Sequence, residues 1–110
     1  MKRVSFKIAK ALKEAGYPQD NCDIWCQVPP KYQDIDRKVA QPTYLDVWLW
    51  LWREKGIYID IESSLAGNSS YFIWLEKEIK PVNINEIQNG SPEEAIIAAI
   101  EYLVNHNLIK

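Results

Sequence analysis

The spacing of apolar positions divides the chain into helical and extended stretches. Between residues 6 and 15, Ile8, Leu12 and Ala15 fall on one stripe of a helix. Ser5 stands at its N-cap, and Gly16 with Pro18 ends it. A second helix, Tyr44–Lys55 (YLDVWLWLWREK), opens after Thr43, with Asp46 in the capping-box position and Gly56 after its last turn. The third start is the clearest. Ser91 caps, Pro92 enters the first turn, and Glu93 and Glu94 complement the helix dipole. Ile96, Ala99, Ile100 and Leu103 form its buried stripe.

Extended patterns lie between the helices. Ile57–Glu62 (IYIDIE) alternates strictly, which turns Ile57, Ile59 and Ile61 inward and Tyr58, Asp60 and Glu62 outward. The turn-rich stretch Ser63–Ser70 separates it from Tyr71–Leu75 (YFIWL), so the two strands make an antiparallel hairpin. Glu76–Lys80 extends the second strand until Pro81, and Val82–Ile87 is a further short extended piece. Cys22–Val28 (CDIWCQV) reads as a short strand stopped by Pro29-Pro30. Pro29–Pro42 is a polar surface connection with room for a turn of helix. The order is therefore α-β-α-β-β-α. It describes one α+β domain over residues 1–110, a small antiparallel sheet of about three strands with helices packed on it.

Composition agrees with a packed domain. The chain has 110 residues, 47% hydrophobic and 25% charged, which argues against disorder. Five Trp, six Tyr and two Phe supply bulk for a core. A net charge of −2 gives no global footprint for nucleic acid. Lys7, Lys10 and Lys13 interrupt any apolar region of a secretory signal, and the charge-free run Ser63–Leu75 is too short and polar to span a bilayer. Cys22 and Cys26 lie four apart on a strand, roughly 13 Å from each other. That is beyond disulfide reach, and a reduced, cytoplasmic setting fits best.

The middle helix is the most unusual segment. At about 100° per residue, Tyr44, Leu45, Val47, Trp48, Leu51 and Trp52 cover one broad face. Asp46, Arg53 and Glu54 mark the opposite side, and Trp50 falls among them. A small domain has difficulty burying a helix that is apolar almost all round. Trp50 is therefore expected to stand outside as the anchor of a protein contact, a homo-oligomer contact included, with Asp46, Arg53 and Glu54 as its polar rim. The competing expectation places Trp50 under the Pro29–Pro42 connection or leaves it a lone exposed aromatic.

Few residues suggest chemistry. Asp60 followed by Glu78-Ile79-Lys80 resembles the metal-dependent nucleases of restriction-endonuclease type. The resemblance implies carboxylates holding Mg²⁺ and a Lys stabilising charge near the attacked phosphate. Pro81 directly after Lys80, and a helix between the first two strands, depart from that family. Charges at alternate strand positions are more commonly a solvated face. Lys7, Lys10 and Lys13 offer at most weak, salt-sensitive nucleic-acid binding against the simpler reading of a solvated helix face. The basic residues 1–16 and the acidic residues 86–110 can attract each other within one fold or between subunits.

His106 is the only His, and two Cys with one distant His make no zinc site at recognised spacings. Cys22 or Cys26 with His106 is a Cys–His pair of the kind any chain with both residues contains. Trp25, Trp74, Tyr58 and Tyr71 could stack bases, but Asp60 and Glu62 beside them repel phosphates. No Gly-rich phosphate loop occurs, and no catalytic, cofactor or metal site is assigned.

Several stretches together cover about half of the chain and carry a resemblance. They are Val4–Glu14, Pro42-Thr43-Tyr44, Trp52–Ile59 (WREKGIYI) and the last helix from Glu94-Ala95 to Leu108-Ile109. In these the chain resembles short uncharacterised proteins common in phage, prophage and related bacterial genomes. The resemblance implies a stand-alone cytoplasmic protein with no catalytic motif to carry over. The Pro29–Pro42 stretch and the Trp48, Trp50, Trp52 series have no counterpart in that pattern.

Overall fold

Hydroxyl caps open all three helices in the computed structural model, which describes residues 2–19, 25–26, 39–63, 67–75, 83–87 and 90–109. Ser5 Oγ accepts from the Ile8 amide at 3.4 Å at the head of α1 (Phe6–Glu14). Thr43 Oγ1 accepts from the Asp46 amide at 3.2 Å to start α2 (Tyr44–Trp50). Ser91 Oγ accepts from the Glu94 amide at 3.2 Å to start α3 (Pro92–Asn105), with Pro92 in the first turn where no donor is lost. Each cap satisfies an amide that the helix itself leaves without a partner.

The strands make two sheets. β1 (Trp25–Cys26) pairs antiparallel with β2 (Val39–Ala40). β3 (Ile57–Ser63), β4 (Ser69–Leu75) and β5 (Asn83–Ile87) form an antiparallel sheet in that order. Register sets Tyr58 opposite Trp74, Asp60 opposite Phe72, and Ile59 opposite Ile73. Strict alternation in β3 has the expected effect: Ile57 and Ile59 are buried, whereas Tyr58 and Glu62 are exposed on the other face. The hairpin turn is shorter than its composition suggests, because Ser63 and Ser69 pair as strand residues and their hydroxyls meet at 2.9 Å.

One core joins the helices to the inner face of this sheet. Ile8 and Leu12 of α1, Val47 of α2, Ile59 and Ile73 of the sheet, and Ala99, Ile100 and Leu103 of α3 are all buried in it. Burial of each Val, Leu or Ile side chain is worth about 1.5–3 kcal/mol. The N-terminus is stitched to the start of α2: Val4 N–H donates to the Pro42 carbonyl at 3.0 Å and Tyr44 N–H to the Lys2 carbonyl at 3.2 Å. That links α1 to α2 across the segment between them.

The α+β class, the helix positions and the antiparallel hairpin agree with the sequence reading, and the piece expected at Val82–Ile87 is β5. The Pro29–Pro42 connection needs correcting, since it contains β2 at its end. Val39 and Ala40 are buried, and the Ala40 amide donates to Gln19 Oε1 at 2.8 Å, so this end of the connection is held as strand. The expected strand Cys22–Val28 is described only at Trp25–Cys26. The Glu76–Lys80 extension lies outside the described residues.

Candidate functional site

The middle helix does not end as an α-helix. Leu51–Lys55 forms a π-helical turn, in which Gly56 N–H reaches back to the Leu51 carbonyl. Gly56 then leaves at φ 64, the left-handed conformation that terminates helices and that a Cβ disfavours. The wider π-turn brings residues five apart closer to the same side of the helix than an α-helical turn does. This places the Lys55 ammonium 5.4 Å from the centre of the Trp50 ring.

Trp50 is not the outward anchor that its helical phase suggests. It is only 7% exposed. Tyr17 meets its ring edge-on at 5.1 Å between centroids, and Lys55 sits over it. Tyr17 is available because the chain turns sharply after α1, with Gly16 at φ 98 and Tyr17 N–H bonded to the Leu12 carbonyl. The aromatic edge and the cation close a side of α2 that the charges of Asp46 and Arg53 had marked as solvent-facing. The buried arc is therefore Tyr44, Val47, Trp50 and Leu51.

The same rotation corrects the face expected to be inside. Leu45 is 40% exposed and Trp52 60% exposed, and Leu49 between them is 41% exposed. These three lie at i, i+4 and i+7, one above the other along the helix. Asp46, Arg53 and Glu54 are exposed as well. Trp48 separates the exposed stripe from the core. Its indole N–H donates to the Ile59 carbonyl at 3.0 Å, on β3, one of the two edge strands of the three-stranded sheet. Sequence reasoning missed Leu45, Leu49 and Trp52 as a surface, although their helical spacing was legible.

The other candidates take structural places. Asp60 is half-buried opposite Phe72, and Glu78 and Lys80 lie outside the described residues. Lys10 Nζ is paired with Glu14 at 2.7 Å. Lys7 Nζ donates to Asn105 Oδ1 at 2.8 Å and the Lys2 backbone amide to Glu93 Oε1 at 3.1 Å, so the two ends touch within one copy, but neither contact pairs a cation with a carboxylate.

His106 ends α3. Its ring stacks on Tyr102 at 4.0 Å, and its Nδ1 donates to the Tyr102 carbonyl at 2.9 Å, the only role a carbonyl partner permits. Cys22 lies outside the described residues. Tyr71 is buried on the inner face, whereas Tyr58 and Trp74 pair on the outer one, so these aromatics form no single stacking platform. Among the described residues, no three His, Cys, Asp or Glu side chains come together at a spacing that would hold a metal ion.

Two further features are structural in scale. The hydroxyl of Tyr44 is buried, which pushes its pKa up, and the charge of Glu101 and the hydrogen bond to it push in the same direction. A hollow of about 140 Å³ between α1 and α3 is lined mainly by Ala11, Ala15, Leu103 and Val104, below the roughly 300–1,000 Å³ of small-molecule sites. Among the described residues, no helix is long and apolar enough to cross a membrane. No family model, no curated protein and no solved structure matches the chain.

Proposed function

We propose that the chain is a non-enzymatic accessory protein of phage or mobile-element type, acting in the cytoplasm by protein contact and associating with itself. The exposed stripe Leu45–Leu49–Trp52 carries this reading. Scattered apolar residues on a surface are ordinary. Three on one helical line, ending in an indole that is more exposed than buried, make a continuous ridge of the kind helices use to pack. Trp in such a position is a favoured binding anchor, and Asp46, Arg53 and Glu54 supply the polar rim.

Three of the side chains considered for chemistry are engaged within the fold. Lys10 binds Glu14, Lys7 binds Asn105, and His106 is engaged with its own helix. The likeness of the Pro42–Tyr44 and Trp52–Ile59 stretches to short phage and prophage proteins supplies the setting.

Sedimentation velocity of the wild type and of Trp52→Ala, from low to high micromolar, tests the reading. The wild type is expected to gain mass with concentration, and Trp52→Ala to stay monomeric with an unchanged far-UV spectrum. A wild type that is monomeric throughout, or a variant that associates equally well, removes it.

A further inference from the structure

The stripe on α2 is flanked by opposite charges at its two ends. Asp46 lies in the first turn and Arg53 in the π-turn, and both are exposed. Neither makes an ion pair among the described residues; Arg53 Nε donates to the Leu49 carbonyl at a long 3.4 Å. The chain turns by about 100° per residue from Asp46 to Leu51 and by less through the π-turn, so Arg53 stands nearer the apolar line than Asp46 does, on the same side of it. Leu49 stands midway between them.

Such a surface is complementary to itself in one orientation. A two-fold axis perpendicular to the helix, near Leu49, sets a second α2 antiparallel to the first. Leu49 then packs on its own mate and Leu45 faces Trp52 of the other copy. The charged flank of one helix comes beside the same flank of its partner, in reverse order. Asp46 therefore meets Arg53 of the second copy, and the symmetry repeats the pair. A parallel pairing puts the two charged flanks on opposite sides of the seam and leaves all four charges unmatched.

We infer that the occupant of this stripe is a second copy of the chain, bound antiparallel through α2 with two reciprocal Asp46–Arg53 pairs. The inference rests on the protein-contact reading above and adds the partner's identity and register. Three apolar side chains per copy fall well short of the roughly 1,200–2,000 Å² that stable complexes bury. The dimer is thus weak and reversible, populated at high micromolar concentration.

Charge reversal tests the register. Asp46→Arg and Arg53→Asp are each expected to weaken the dimer by about tenfold, because each sets like charges together twice. The double variant Asp46→Arg/Arg53→Asp is expected to recover wild-type association. An equimolar mixture of the two single variants, which opposes two cations to two carboxylates, is expected to associate more tightly than either alone. All are surface changes, and thermal melts at low concentration check that folding is unaffected.

Single reversals that leave dimerisation unchanged, or a double variant that does not recover it, overturn the inference. If Trp52→Ala still abolishes association in that case, the contact surface stands and only the antiparallel register is lost. If the wild type never associates, both are lost.

Discussion

Truncating Trp50 and truncating Trp52 are expected to separate folding from association. Trp50 is packed against Tyr17 and covered by Lys55, so Trp50→Ala opens a cavity and is expected to cost about 3–5 kcal/mol of stability. Urea denaturation reads this directly; a loss below about 1 kcal/mol contradicts the buried placement. Trp52 touches mostly solvent, and its removal is expected to change stability by no more than about 0.5 kcal/mol.

Tyr44 makes a second prediction at this scale. Its folded pKa is raised by burial and then by Glu101. The folded state therefore holds this proton more tightly than the unfolded chain does. The resulting stability is fully present below the unfolded pKa of about 10 and is lost as pH rises through the folded value. Tyr44→Phe is expected to lose less stability than wild type between about pH 8 and pH 11. Equal losses in the two proteins indicate that other groups govern the alkaline limb.

The π-turn is decided at the level of the element. Gly56 closes it at φ 64, where a Cβ is unfavourable, so Gly56→Ala is expected to destabilise the fold by about 1–2 kcal/mol in chemical denaturation. No loss implies that the turn re-forms as ordinary α-helix. The helix starts were legible because Ser5, Thr43 and Ser91 are strong local signals that need no tertiary partner. β3 was legible because its isoleucines alternate over six residues.

The facing of α2 was not legible. Leu45, Trp48, Leu49, Trp50, Leu51 and Trp52 leave nearly every direction apolar, so the pattern fixes the helix but not its rotation. That rotation is chosen by groups distant in sequence: Tyr17 against Trp50, and the Ile59 carbonyl that receives the Trp48 indole. The two-residue strand β2 escaped for a similar reason, because Val39-Ala40 is too short to show alternation and its pairing with Trp25–Cys26 is not local.

For the whole molecule, association and folding are linked. A dimer formed only by folded chains draws the unfolding equilibrium toward the native state, so stability increases with protein concentration. Above the dissociation constant the free folded monomer rises only as the square root of total protein, so each tenfold increase adds at most about 0.7 kcal/mol per chain, which is roughly 3 °C in Tm for a domain of this size. Differential scanning fluorimetry from low to high micromolar is expected to give a rising Tm for the wild type and a constant one for Trp52→Ala. Trp50→Phe, which disturbs the core but leaves the stripe in place, is expected to melt lower at every concentration and to keep the wild-type slope. Parallel lines for wild type and Trp50→Phe with a flat line for Trp52→Ala assign the two neighbouring indoles to different tasks. A flat wild-type line indicates that the exposed ridge on α2 is not buried by a second copy in this range.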